Sequence, residues 1–100
     1  MPRIPAQRRP TLPGEILLHE FIEPLNLTQA EVARAIDVPY QRLNEVVRGA
    51  RRVTPETALR LAKYMGTSPD FWLNLQLAVD LFEAQRAETE ALKKIRPVGA

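Results

Sequence analysis

The sequence predicts an all-α chain: five helices in one domain, the last of them long. Three observations predict it. Apolar residues recur at helical rather than alternating spacing. Start signals precede the periodic stretches: Thr28 with Glu31, Thr54-Pro55-Glu56 and Ser68-Pro69-Asp70. Stop signals follow them at Pro24, Gly49 and Gly66. No strand pattern, internal repeat or linker interrupts the 100 residues, a length that suits one domain.

The elements follow in order. Residues 1–12 hold three prolines, three arginines and no helical period, and are expected to form a flexible basic arm. The first helix is expected from Pro13 to Glu23, with Ile16, Leu17 and Phe21 inward and Pro24 ending it. Thr28 caps a short second helix running to Ile36. Asp37-Val38-Pro39 makes a tight break before a third helix, Pro39 to about Arg48, closed by Gly49. The fourth helix runs from Thr54-Pro55 to Met65, and the fifth opens at Ser68-Pro69 for about 25 residues. Residues 13–82 are thus the folded domain, and 83–100 the polar end of the last helix and a tail.

Composition removes several function classes. There is no cysteine, hence no disulfide, thiolate metal site or cysteine nucleophile. The one histidine, His19, neighbours Glu20 and Glu23 on an acidic helix, where local pairing suits it better than a ligand role. No phosphate-cradling glycine loop or metal-spaced cluster is present. The expectation is therefore no enzyme, no metal, no cofactor and no small-molecule ligand. No apolar run reaches the roughly 18 residues of a membrane span, and no signal core opens the chain, which predicts a cytoplasmic protein off the membrane.

The net charge of +2 hides a pattern. Residues 34–63 carry seven bases against three acids, while 13–33 carry four acids and no lysine or arginine. A basic middle between acidic flanks points to one face for a polyanion.

Residues Gln29–Val47 identify that face. Two short helices crossing steeply need a small residue at their approach, and Ala33 is there. They need a turn residue tolerant of positive φ, which Asp37 supplies. They also need a shared apolar side, supplied by Val32, Ile36, Val38, Leu43 and Val46. This order describes a helix-turn-helix unit, whose second helix enters the major groove of DNA. With Leu43 inward, Gln41, Glu45 and Arg48 point outward, Asn44 lies beside them, and Tyr40 and Arg42 flank them. Amides pair with adenine edges, arginine with guanine, and glutamate accepts from cytosine. Thr28 and Gln29, in the first turn of the second helix, suit a phosphate. Arg51 and Arg52 follow the reading helix and would grip the backbone, and Arg3, Arg8 and Arg9 of the arm either enter a minor groove or stay solvated. Single-stranded RNA is disfavoured, since Tyr40 is nearly alone as an exposed aromatic for base stacking.

The last helix carries a different signal. From Phe71 to Phe82 it is apolar almost all round, more than the single stripe a surface helix needs. The surplus predicts a homodimer formed through Leu75, Val79 and Phe82. Trp72 and Gln76 are assigned to structure.

Residues 13–82 resemble the lambda-repressor-like fold of the XRE class, and more narrowly HigA-type antitoxins. The resemblance is carried by Pro13-Gly14-Glu15-Ile16-Leu17, Glu23-Pro24-Leu25 and Thr28-Gln29-Ala30-Glu31. Most specific are Thr54-Pro55-Glu56-Thr57-Ala58-Leu59-Arg60-Leu61-Ala62 and Thr67-Ser68-Pro69-Asp70-Phe71-Trp72-Leu73-Asn74-Leu75-Gln76. It implies a five-helix fold, a homodimer on a palindromic double-stranded operator and a repressor that controls its own operon. It also implies a partner, a RelE-like HigB-type toxin that cleaves mRNA. By position, Gln29, Tyr40, Gln41, Asn44 and Glu45 match base or phosphate contacts of the family. Two residues depart from its pattern: Asp37 stands where glycine is usual, and Leu12 where a histidine is often found. Some relatives of this type regulate transcription without a known toxin, and that alternative stays open here.

Overall fold

The computed structural model describes residues 8–99. It is helical throughout, with no strand among the described residues. Arg3 and most of the expected arm lie outside the described residues, and Arg8 and Arg9 are exposed.

α1 (Pro13–Ile16) is a single turn that widens into a π-helical segment, Leu17–Ile22. The widening was not legible in the sequence. Its bonds reach five residues back, as from the Glu23 N–H to the Leu18 carbonyl at 3.0 Å. It lets Leu17 and Ile22, five residues apart, both bury, which one face of an α-helix would not allow. Ile16 and Phe21, expected inward, are only partly buried. On the solvent side, His19 Nδ1 lies 3.0 Å from Glu23 Oε1, and that hydrogen bond, with the glutamate's charge, raises the histidine's pKa.

α2 (Gln29–Ala35) opens on the expected capping box. The Glu31 N–H donates to Thr28 Oγ1 at 3.0 Å, and Glu31 Oε1 accepts the Thr28 N–H at 2.8 Å. Its far end is closed from a distance: the Arg60 guanidinium donates to the Ile36 carbonyl at 2.8 Å. Asp37 then takes φ 57°, the left-handed turn expected of it. α3 (Tyr40–Val47) follows, and Gly49 leaves it at φ 78°. α4 (Pro55–Met65) is capped by Thr54, and α5 (Pro69–Ala87) by Ser68.

The last helix is shorter than expected. It breaks at Glu88, and a separate α6 (Thr89–Lys93) carries no buried residue. The described residues therefore form six helices where five were expected. α4 packs on α5, α2 on α3, and α1 on both α3 and α5. One core joins them, with Leu17, Val32, Leu43, Leu61 and Trp72 almost wholly enclosed. The radius of gyration is 16.2 Å, above the roughly 13 Å of a compact 100-residue chain, because the molecule is drawn out to 53 × 22 × 21 Å. Among the described residues, no helix is long and apolar enough to cross a membrane.

The structure corrects the surplus apolar stripe. Val79 is 3% exposed and Phe82 6%, so both belong to the chain's own packing, and Leu75 is only partly open. Trp72, Gln76, Val79 and Phe82 define the inward side of α5. Leu77 and Ala84 are exposed and Leu81 is half-buried, roughly half a turn away from that side. The helix has a spare stripe, but it is this one. Trp72 and Gln76 are structural, as expected: Trp72 Nε1–H donates to Thr67 Oγ1 at 2.8 Å, and Gln76 is buried.

Candidate nucleic-acid interface

α3 is held from beneath and free above. Leu43, Val46 and Val47 are buried against α1 and α2, which sets the helix's height and rotation. Its outer side presents Tyr40, Gln41, Arg42 and Arg48 exposed, with Asn44 and Glu45 half-buried. The outward set expected from helical angle is the set the structure leaves open, with Asn44 and Glu45 set lower than the rest.

Asn44 is the hub of this surface. Its Nδ2 donates to Gln29 Oε1 at 3.0 Å, and its Oδ1 accepts from Arg48 Nε at 2.8 Å. Gln29 stands at the start of α2 and Arg48 just past α3, so the amide of Asn44 ties both helices into one polar line. Side chains held this way lose less freedom on binding than loose ones. The sequence placed all three residues on one side but did not reveal the bonds between them. The spacing of Asn44 and Arg48, one helical turn, was the only signal available.

The two loop arginines are not free. Arg51 Nε lies 2.8 Å from Glu45 Oε1, and Arg52 pairs with Asp80 of α5. Both were expected to grip phosphate, and Glu45 was expected to face a base. In the structure Glu45 instead holds Arg51, so part of the local positive charge is neutralised internally. Arg60, counted with the basic middle, is spent on capping α2. Thr28 Oγ1 likewise accepts from Glu31 as a cap. Below the loop, the backbone N–H of Val53 donates to Gln76 Oε1 at 2.8 Å. A cavity of about 550 Å³ lies beside the loop, its lining including Arg9, Glu83 and both of these ion pairs, Arg51 with Glu45 and Arg52 with Asp80.

Comparison with known proteins agrees with this geometry. The helix-turn-helix family model HTH_3 matches residues 18–72. The chain is 48% identical over 80 residues to the uncharacterized HTH-type transcriptional regulator YbaQ of Escherichia coli K12, covering 80% of this chain and 71% of that one. It is 36% identical over 93 residues to antitoxin HigA-1 of Vibrio cholerae, covering 93% of this chain and 88% of that one. The Pseudomonas aeruginosa antitoxin HigA, solved with the higBA promoter, superposes with a TM-score of 0.84 at 37% identity, over 90% of this chain and 99% of that one. The likeness to HigA-type antitoxins drawn from residues 13–82 therefore holds.

Proposed function

The chain belongs to the HTH_3 helix-turn-helix family, and we propose that it is a sequence-specific DNA-binding transcriptional repressor with α3 as its reading helix. One observation carries the proposal: the outer side of α3, with its Gln29–Asn44–Arg48 line, is open while its inner side is locked into the core. That arrangement delivers amides and arginines to base edges at a set depth. A cytoplasmic setting and a palindromic double-stranded operator fit this reading.

Gln41 makes none of the hydrogen bonds that occupy Asn44, so its amide is available to a base. Replacing Gln41 with alanine is expected to cost about 1–3 kcal/mol on the cognate site and to relax preference at one base pair. Fluorescence anisotropy on an operator and its single-base variants measures both. An affinity and base preference identical to the parent's would remove Gln41 from the reading set.

A palindromic operator calls for a homodimer, and the spare stripe of α5 supports one built on Leu77, Leu81 and Ala84. Leu77→Glu with Ala84→Glu places charge at two exposed positions, so the monomer fold should survive. Light scattering is expected to show a monomer, with operator binding lost at concentrations that saturate the parent. A dimer of unchanged stability would place the interface elsewhere.

The antitoxin role rests on the likeness to HigA proteins and adds a RelE-like HigB-type toxin as partner. A second reading, a stand-alone regulator, is favoured by the higher identity to YbaQ, whose name is that of a transcriptional regulator. Tagged chain purified from its host after nuclease treatment separates the two. A small basic protein at near-equal stoichiometry makes it an antitoxin, whereas no partner, with the purified chain binding its own upstream DNA when that DNA is added back, makes it a repressor alone.

A further inference from the structure

Arg52 and Val53 are consecutive residues of the loop leaving α3, and two side chains of α5 hold both. Gln76 Oε1 accepts the Val53 N–H at 2.8 Å, and Gln76 Nε2 donates to Asp80 Oδ1 at 3.0 Å. The other carboxylate oxygen, Asp80 Oδ2, accepts from the Arg52 guanidinium. Gln76 and Asp80 stand one turn apart on α5, so loop backbone, amide, carboxylate and guanidinium close a ring.

The two members of that ring differ in what they do. Gln76 is 7% exposed and satisfies a buried backbone N–H, a role that a fold requires. Asp80 is not needed for that bond. Its free oxygen offers Arg52 an anionic acceptor of the kind a phosphate offers. Side-chain exposure of 61% for Arg52 and 34% for Asp80 leaves the pair open to exchange. An exposed ion pair of this kind shifts an equilibrium by no more than about fivefold.

We propose that Asp80 is an internal competitor for the DNA backbone. It holds Arg52 against α5 in the free protein and gives it up to a phosphate when α3 docks. This rests on the DNA-binding reading above. The cost is the same on every sequence that brings a phosphate to Arg52. Affinity and salt response therefore depend on Asp80, and base preference does not.

Asp80→Asn tests this, since the amide oxygen still accepts from Gln76 while the charge is lost. Anisotropy titrations on operator and on random duplex, across a salt series, are expected to show about two- to fivefold tighter binding to both. The log–log salt slope is expected to steepen by up to about one, with base preference unchanged. In an Arg52→Ala background, adding D80N should change nothing. Glu88→Gln, the same charge change at an exposed position beyond α5, should not tighten binding. The inference is overturned if D80N binds no tighter than the parent, or if the gain persists without Arg52 or appears equally in E88Q. A parent chain that binds no DNA at any salt overturns the DNA-binding reading itself. A parent that binds normally beside an indifferent D80N overturns only the role given to Asp80.

Discussion

Trp72→Ala is expected to lower stability by about 3–5 kcal/mol, a large share of the roughly 5–15 kcal/mol that holds a domain of this size together. Trp72 is 0% exposed. Its ring centroid lies 5.3 Å from that of Phe21 and 4.9 Å from that of Phe71, so it joins the start of α5 to the π-helical segment. Truncation removes the largest enclosed side chain, leaves a cavity between those elements and frees the Thr67 hydroxyl from its indole partner. At about 4–8 °C per kcal/mol, melting should fall by roughly 12–40 °C. Trp72→Phe separates the causes: it keeps an aromatic in the cluster and loses the hydrogen bond, so its loss should be well under half as large. Thermal melts of the two variants decide it. If alanine and phenylalanine cost the same, the hydrogen bond and not the volume would be the dominant contribution.

The residues that were legible in the sequence share one property: their structure depends on neighbours within about four positions. Thr28 with Glu31, Ser68 with the Phe71 N–H, and the left-handed turn at Asp37 are all such cases. So is the outward set of α3, because an amphipathic helix has a readable phase. α5 has none. Being apolar almost all round, it offers several stripes of equal merit, and only the packing of α1 and α4 decides that Val79 and Phe82 go inward while Leu77 and Ala84 stay out. Pairs far apart in sequence were equally hidden: Arg52 meets Asp80, Arg60 caps α2 at Ile36, and Val53 meets Gln76. Two of them convert an arginine read as surface charge into a structural tie, and Gln76, already assigned to structure, finds its partner only across the fold. The break at Glu88 and the π-widening of the first helix also had no sequence signal.

Gly14→Ala is the second large effect, and it reaches the reading helix directly. Gly14 is buried where α1 crosses the end of α3. A Cβ there would strike the Val46 carbonyl oxygen and lie 2.6 Å from that of Val47. The obstacle is backbone, which cannot rotate aside as a side chain could, so the helices must part. Overpacking usually costs about 1–3 kcal/mol, and a clash against main chain belongs at or above the upper end of that range. The same displacement tilts α3, because Val46 and Val47 are among its buried anchors. Operator affinity of the folded fraction should therefore fall along with melting temperature, although residue 14 lies on the inner side of α3 and away from its outward set. A sub-ångström or 10° change in α3 is enough to spoil bidentate contacts to bases, while phosphate contacts through flexible arginines tolerate it. G14A is thus expected to lose the preference for operator over random duplex more than it loses random binding, measured below its melting transition. A variant that melts within a degree or two of the parent and keeps full operator preference would mean that α1 and α3 are not the rigid pair described here.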